Sequence, residues 1–294
     1  MNSKPILVTG AHRSGTTWLG KSIALSNRIV YFHEPFNPNK TPHNKIKFSV
    51  LESKIIYWFS YINRHNEEKY LNSLHEVFNF EYDPISGIRN VHSLNDFKFF
   101  VRTYSRLLKY KYYSHPRLII KDPIALFSAP WLADRFKMSV IILSRHPAAF
   151  VDSLIRHQFN HPFSNFTQQE SLMSNELSSF AEEIIEFTTN QKPIIEQAIL
   201  LWRILNSQVI KYREQQPFWC FRRYEDIVIN PLEEFESLFE YLNLNFTEEI
   251  KKGIITNLNP NPYGWKTSLN ETQKAIIRKG TQDIWPNFYS PSDW

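Results

Sequence analysis

Short apolar runs recur along the chain, separated by longer mixed stretches. Ile6 to Val8, Leu118 to Ile120, Val140 to Leu143 and Phe218 to Phe221 are each rich in Ile, Leu, Val or Phe, and each leads into a polar or proline-bearing turn. Runs this short, apolar throughout rather than alternating, predict strands buried on both faces. The stretches between them carry helical spacing. Ile194 to Gln215 predicts an amphipathic helix. Asn230-Pro231 opens another, with Leu232, Phe235, Leu238, Phe239 and Leu242 on one face. Strands alternating with helices predict one α/β domain over residues 1–294, a central parallel sheet with helices on both faces. Ligands of such sheets bind beyond the carboxyl ends of the strands.

Two stretches break the alternation. Residues 45 to 113 are crowded with Tyr, Phe, Trp and Leu between Lys, Arg, Asn and Glu, with few strand signals. They predict a helical insertion, either a cover on the core or an acceptor-binding lid. Residues 157 to 190 form a second excursion, polar at first and helical from Gln168 to Thr188.

Composition narrows the class. With 42% hydrophobic and 21% charged residues among 294, the chain has the make-up of a globular protein. A net charge of +5 favours an anionic ligand or an acidic surface. No dense Lys/Arg stripe suggests nucleic acid. Cys220 is the single cysteine, which excludes an internal disulfide and suits a reducing compartment. The first strand follows almost at once on the N-terminus, so no leader peptide is expected. No apolar stretch is long enough to span a membrane.

The chemistry concentrates at Gly10-Ala11-His12-Arg13-Ser14-Gly15-Thr16-Thr17. The eight residues sit between a predicted strand and a predicted helix, on the frame of the phosphate-binding loop G-x-x-x-x-G-K-S/T. Gly10 and Gly15 keep its spacing and Thr17 its hydroxyl, but Thr16 stands where the lysine belongs. Backbone N–H groups of such a turn and the following helix start form an anion nest, to which Arg13 adds a charge and Thr16 and Thr17 add hydroxyls. Without the lysine that serves β and γ phosphates, the ligand is expected to lack a triphosphate. Asp122 is a partial candidate for a magnesium ligand. A small-molecule kinase using Mg-ATP and a non-catalytic nucleotide-binding protein are the alternatives on this frame.

Arg13-Ser14-Gly15-Thr16-Thr17-Trp18 resembles the 5′-phosphosulfate loop of the sulfotransferases that use 3′-phosphoadenosine 5′-phosphosulfate (PAPS). A second segment, Val140 to Ser144 leading through Arg145-His146-Pro147 to Ser153, resembles the same family's 3′-phosphate site. The resemblance implies a P-loop-type fold, PAPS as donor co-substrate, no metal, and Arg145 and Ser153 as 3′-phosphate ligands. Tyr224-Glu225-Asp226-Ile227 resembles a third family segment, which implies that Tyr224 lies near the adenine; Trp18 is the other adenine-side candidate, by stacking. Arg278-Lys279-Gly280 resembles the segment that closes over the 3′-phosphate in cytosolic-type members.

Sulfuryl transfer to a hydroxyl needs a base, a stabiliser for the leaving oxygen and an in-line approach. Arg13 fits the second task; it keeps its proton, so it stabilises charge without donating. The resemblance implies Glu34, in Phe32-His33-Glu34-Pro35-Phe36, as the base, since carbohydrate- and protein-tyrosine-modifying members carry a glutamate about this far beyond the loop arginine. The histidine that serves phenol- and steroid-modifying members is absent after Leu118-Ile119-Ile120, where Lys121-Asp122-Pro123 stands instead. Lys121 is expected to touch the sulfonate or help close the site. To serve as base, a carboxylate at Glu34 would need partial burial to raise it toward neutrality. The competing role for Glu34 is an ion pair with Arg13 or Lys121. His12 and His33 flank the site, and His146 is expected to be a turn residue. No His/Cys cluster has metal-ligand spacing, and no G-x-S-x-G elbow marks a serine hydrolase. The Glu-Pro pair resembles the carbohydrate branch, which implies a hydroxyl acceptor on a sugar, glycolipid or polysaccharide precursor. A cytoplasmic location is expected, with peripheral membrane contact left open.

Overall fold

A computed structural model describes residues 4–39, 54–81, 91, 93–258 and 261–294. The elements along the chain are β1 (Ile6–Gly10), α1 (Thr16–Ile23), β2 (Ile29–His33), α2 (Glu68–Phe78), α3 (Leu94–Lys109), β3 (Arg117–Lys121), α4 (Ala129–Phe136), β4 (Ser139–Ser144) and α5 (Pro147–Arg156). They continue with α6 (Ala181–Thr189), α7 (Ile194–Gln215), β5 (Cys220–Arg223), α8 (Tyr224–Ile229), α9 (Pro231–Tyr241), α10 (Glu248–Thr256) and α11 (Glu271–Gly280), joined by shorter helical turns.

The five strands form one parallel sheet in the order β2-β3-β1-β4-β5. Strand alternation divides the core into two layers. Leu7, Leu118, Ile120, Val140 and Ile142 face one cluster, to which α5 and α7 add Phe150, Leu154, Leu201 and Trp202. Ile6, Val8, Ile119, Ile141 and Leu143 face the other, covered by Leu19 and Ile23 of α1, Ile227 of α8 and Phe235 and Phe239 of α9. Fully burying each such aliphatic side chain contributes about 1.5–3 kcal/mol. The all-apolar strand runs of the sequence are explained by this two-sided burial.

Three of the four predicted strands coincide with observed ones. The fourth is shifted. β5 begins at Cys220, and Phe218 is 88% exposed in the turn before it. Pro217 cannot donate to a ladder, so pairing starts only after the turn. Ile29-Val30-Tyr31 becomes the edge strand β2, paired with β3 through His33 opposite Lys121. The aromatic excursions do cover the core: Phe59 is fully buried and packs against Phe127 and Phe166. Residues 45–53, 82–90 and 92 of the first excursion lie outside the described residues.

Candidate active site

A cleft of about 880 Å³ opens where β1, β3 and β4 end, with Arg13, Thr17, Glu34, Arg145, Ser153 and Tyr224 on its walls. The first wall is the turn between β1 and α1. Gly10 has φ 134° and Gly15 φ 84°. A Cβ on Gly10 would sit 2.2 Å from the Leu143 carbonyl oxygen, and one on Gly15 2.4 Å from the Tyr224 ring. Both glycines are therefore required, by backbone conformation and by close approach. Between them Arg13 is held at φ 64°, a left-handed position that a non-glycine residue occupies at a cost. Ser14 is fully buried, and its hydroxyl has no protein partner among the described residues.

The second wall is the turn between β4 and α5. Pro147 occupies the first turn of α5, and His146 caps it, its Nδ1 accepting from Ala148 N at 3.3 Å. The expected turn role of His146 is thus confirmed, with more detail: its ring stacks on Trp265 at 4.7 Å, and burial pushes it down to about 3, so it stays neutral. The Trp202 indole donates to the Arg145 carbonyl at 2.9 Å, fixing the strand end from α7.

The two walls meet through their arginines. Arg145 Nη1 donates to the Arg13 carbonyl at 2.6 Å, and its guanidinium lies 4.9 Å from the Tyr224 ring centre. Arg13 Nε donates to Ser153 Oγ at 3.1 Å, and its Nη2 meets His157 Nε2 at 2.9 Å. His157 Nδ1 lies 2.8 Å from the Ser153 carbonyl, so the neutral tautomer with the proton on Nδ1 satisfies both contacts. Burial first, then the charges of Arg145 and Arg156, lower the Arg13 pKa below its ordinary value. Among the described residues neither Arg13 nor Arg145 has a carboxylate in ion-pair contact. Two neighbouring arginines without an acid partner leave positive charge uncompensated beside the glycine turn.

The third wall carries Glu34. The pairing of His33 with Lys121 places Glu34 one residue past the end of β2, at φ 45°, with its N–H donating to the Lys121 carbonyl at 2.8 Å. Glu34 Oε1 forms an ion pair with the Lys121 ammonium, and Oε2 accepts from Asn37 Nδ2 at 2.9 Å. Burial pushes the Glu34 carboxyl up, but Lys121, Asn37 and His33 together hold it below the usual carboxylate value. The partial burial that a base there would need is present, but its upward push is outweighed: the side chain is ionised and paired. Of the two ion pairs considered from sequence, the one with Lys121 forms. The Lys121 side chain is completely buried behind Glu34 and absent from the cleft wall, so it meets Glu34 rather than the cleft. Gly20 makes room for it, since a Cβ there would come within 3.1 Å of Lys121 Cβ.

Asp122 is not presented to a metal. Its Oδ2 accepts from Phe36 N at 2.6 Å and its Oδ1 from Ile124 N at 3.0 Å, clamping the turn after Glu34 onto the end of β3. Burial, aided by the charge of Glu34, pushes its carboxyl up to about 7.

Trp18 and Tyr224 both line the cleft and meet edge to face at 6.5 Å, with Trp18 also edge-on to Phe235 at 5.3 Å. His12 lines it too, buried among Trp58, Phe150 and Phe159. Burial and the charge of Arg13 push it down to about 4. Arg278, Lys279 and Gly280 are not on the cleft wall. They form the last turn of α11, where Arg278 lies 5.7 Å from the Trp285 ring and a Cβ on Gly280 would press on Ile199 at 2.9 Å. His157 escaped the sequence reading. Its signal was its place four residues after Ser153, one helical turn along α5.

The parallel sheet, with the glycine turn after β1 and Arg13 and Arg145 meeting beyond its carboxyl end, is a P-loop-type fold. The chain belongs to the sulfotransferase domain family, whose model matches residues 3–292. Among solved structures it is similar to the sulfotransferase domain from the curacin biosynthetic pathway, with 16% identity and TM-score 0.50 over 98% of this chain and 97% of that one. A sulfotransferase from Mycobacterium avium is 12% identical, with TM-score 0.48 over 98% of this chain and 77% of that one. One from Alicyclobacillus acidocaldarius is 14% identical, with TM-score 0.45 over 99% and 98%. At such identities the likeness concerns the fold. No curated protein matches the sequence. No helix among the described residues is long and apolar enough to cross a membrane.

Proposed function

We propose that the chain moves a sulfuryl group from PAPS to an acceptor hydroxyl on a carbohydrate or glycolipid, on the cytoplasmic side where the donor is made. The observation that carries this reading is the convergence of Arg13 and Arg145, without a carboxylate partner among the described residues, beside the Gly15 turn. The turn between β1 and α1 receives the 5′-phosphosulfate on backbone N–H groups and the hydroxyls of Ser14, Thr16 and Thr17. Arg145 and Ser153 receive the 3′-phosphate, and Trp18 and Tyr224 flank the adenine. Arg278, Lys279 and Gly280 would join them only through movement of the last turn of α11.

The acceptor oxygen attacks sulfur as the bond from sulfur to the 5′-phosphate oxygen breaks. Its proton passes to Glu34, and adenosine 3′,5′-bisphosphate leaves with its new charge facing Arg13. Lys121 keeps Glu34 ionised and oriented from behind. The bonding of both Asp122 oxygens to backbone N–H groups disfavours a magnesium-dependent kinase.

Thermal-shift measurements with adenosine 3′,5′-bisphosphate, ATP and Mg-ATP test the donor. Stabilisation by the bisphosphate is expected, and stabilisation by Mg-ATP alone would sink the reading. Transfer of labelled sulfate to a glycan panel tests the reaction. Glu34→Gln should bind the bisphosphate like wild type and lose turnover by about 10²–10⁴-fold; an active Glu34→Gln removes Glu34 as base.

A further inference from the structure

The helix α3, 16 residues long, presents an unusual outer face. Its buried side carries Leu107, which is 4% exposed and packs into the core. A helix of this kind ordinarily turns polar residues to water. Here Leu94, Phe97, Val101 and Leu108 stand 81%, 52%, 47% and 37% exposed. At 100° per residue these four positions fall within about 60° of one another, so they form one stripe along the helix. Tyr112, 61% exposed, extends it past the helix end. Of the 13 large hydrophobic side chains exposed among the described residues, five lie between residues 94 and 112. Single exposed apolar residues need no explanation, but a contiguous row does.

The flank of the stripe is cationic. Lys98 and Arg102 are exposed, one helical turn apart, immediately beside it. Among the described residues neither is in ion-pair contact with a carboxylate. Asp96, the acidic residue of this helix, lies on a different side and accepts from Ser93 Oγ at 2.7 Å. On the other flank Lys111 is neutralised by Glu81 at 3.0 Å.

We infer that the outer face of α3 lies on an anionic lipid bilayer. The stripe enters the boundary between headgroups and acyl chains, while Lys98 and Arg102 face lipid phosphates. A second copy packed antiparallel on the same face would bring the Lys98 and Arg102 of each copy together across the two-fold axis, which disfavours that dimer. The net charge of +5 adds attraction to the same surface. This inference stands on α3 and is independent of the reaction assigned to the cleft.

Vesicle co-sedimentation tests it with the full chain. Binding is expected to vesicles of phosphatidylcholine containing phosphatidylglycerol, and not to phosphatidylcholine alone. Lys98→Ala/Arg102→Ala should weaken that binding by roughly 30-fold, given the usual contribution of a basic residue at an anionic surface. Phe97→Ala/Val101→Ala should remove it while the unfolding temperature stays at the wild-type value. Failure to sediment with the anionic vesicles would overturn the inference, as would sedimentation unchanged in both double variants. So would a dimer on gel filtration that Phe97→Ala/Val101→Ala converts to monomer, because the stripe would then belong to a protein interface.

Discussion

The two strand–turn–helix corners of the cleft follow one plan and offer different chemistry. The corner between β1 and α1 is built on glycines and a left-handed Arg13, with Gly15, Thr16 and Thr17 on the cleft wall and the Ser14 hydroxyl buried without a protein partner among the described residues. The corner between β4 and α5 is closed on itself: Pro147 has no N–H, and His146 takes the Ala148 N–H. What that corner offers is side chains, Arg145 and Ser153. A backbone nest recognises an anion by shape and cannot be repaired by a neighbouring side chain. A side-chain site recognises it by charge and tolerates partial replacement. The pairing suits a donor whose reacting phosphosulfate must be placed closely and whose second phosphate serves as a handle.

Substitutions can break this contrast, the largest expected effect coming first. Arg13→Ala should lower kcat by about 10²–10³-fold, because the leaving oxygen loses its charge partner; a stopped-time sulfate-transfer assay reads this, and a change below threefold would contradict the role given to Arg13. Gly15→Ala should weaken bisphosphate binding by up to about 100-fold through the forced φ and the contact with Tyr224, measured by calorimetry. Arg145→Lys keeps the charge but loses the guanidinium fork, so a loss of about tenfold is expected in the same titration. Equal losses from Gly15→Ala and Arg145→Lys would erase the distinction between nest and handle. Pro147→Ala should change affinity by less than about threefold, since the proline only pre-sets the helix start.

Acid stability sharpens the comparison from another side. His12 in the first corner and His146 in the second are buried and neutral, pushed down to about 4 and about 3, and buried His161 is also lowered well below its ordinary value. The unfolded chain takes up these protons near pH 6.5 while the folded chain refuses them. The contribution of these rings is therefore complete above about pH 6.5 and is lost as the pH drops toward 4, while the buried Asp122 carboxyl, raised to about 7, acts in the opposite sense over the same range. Unfolding temperatures across that range check the sign. His146→Gln should gain stability relative to wild type as the pH falls from 6.5 to 4, and a difference between the two that does not change with pH would contradict the burial of the His146 ring.

Both corners were legible in the sequence because each is local. The backbone that Gly10, Gly15 and Pro147 shape is that of their own turns, and buried strands announce themselves as apolar runs. The pairing of Glu34 with Lys121 was only one of two possibilities, since it depends on β2 lying against β3 in one register across 88 positions of chain. His157 was missed because nothing in its neighbourhood marks it until Arg13, far upstream, arrives beside it. The Arg278-Lys279-Gly280 turn read as a phosphate contact, yet its local packing is onto Ile199 and Trp285. A tripeptide carries no record of which surface its helix will cover.

The buried partner of Glu34 has a consequence for turnover. A proton arriving on Glu34 cancels the charge that makes the enclosed Lys121 ammonium tolerable. The loaded state is then the uncomfortable one, with a cation shut away from water and its counter-ion neutralised. With Glu34 as the proposed base, such a pair would work like a sprung latch: it would yield as the acceptor oxygen gave up its proton and recoil by shedding that proton once product had left. The same spring that weakens the proposed base would also reset it for the next acceptor.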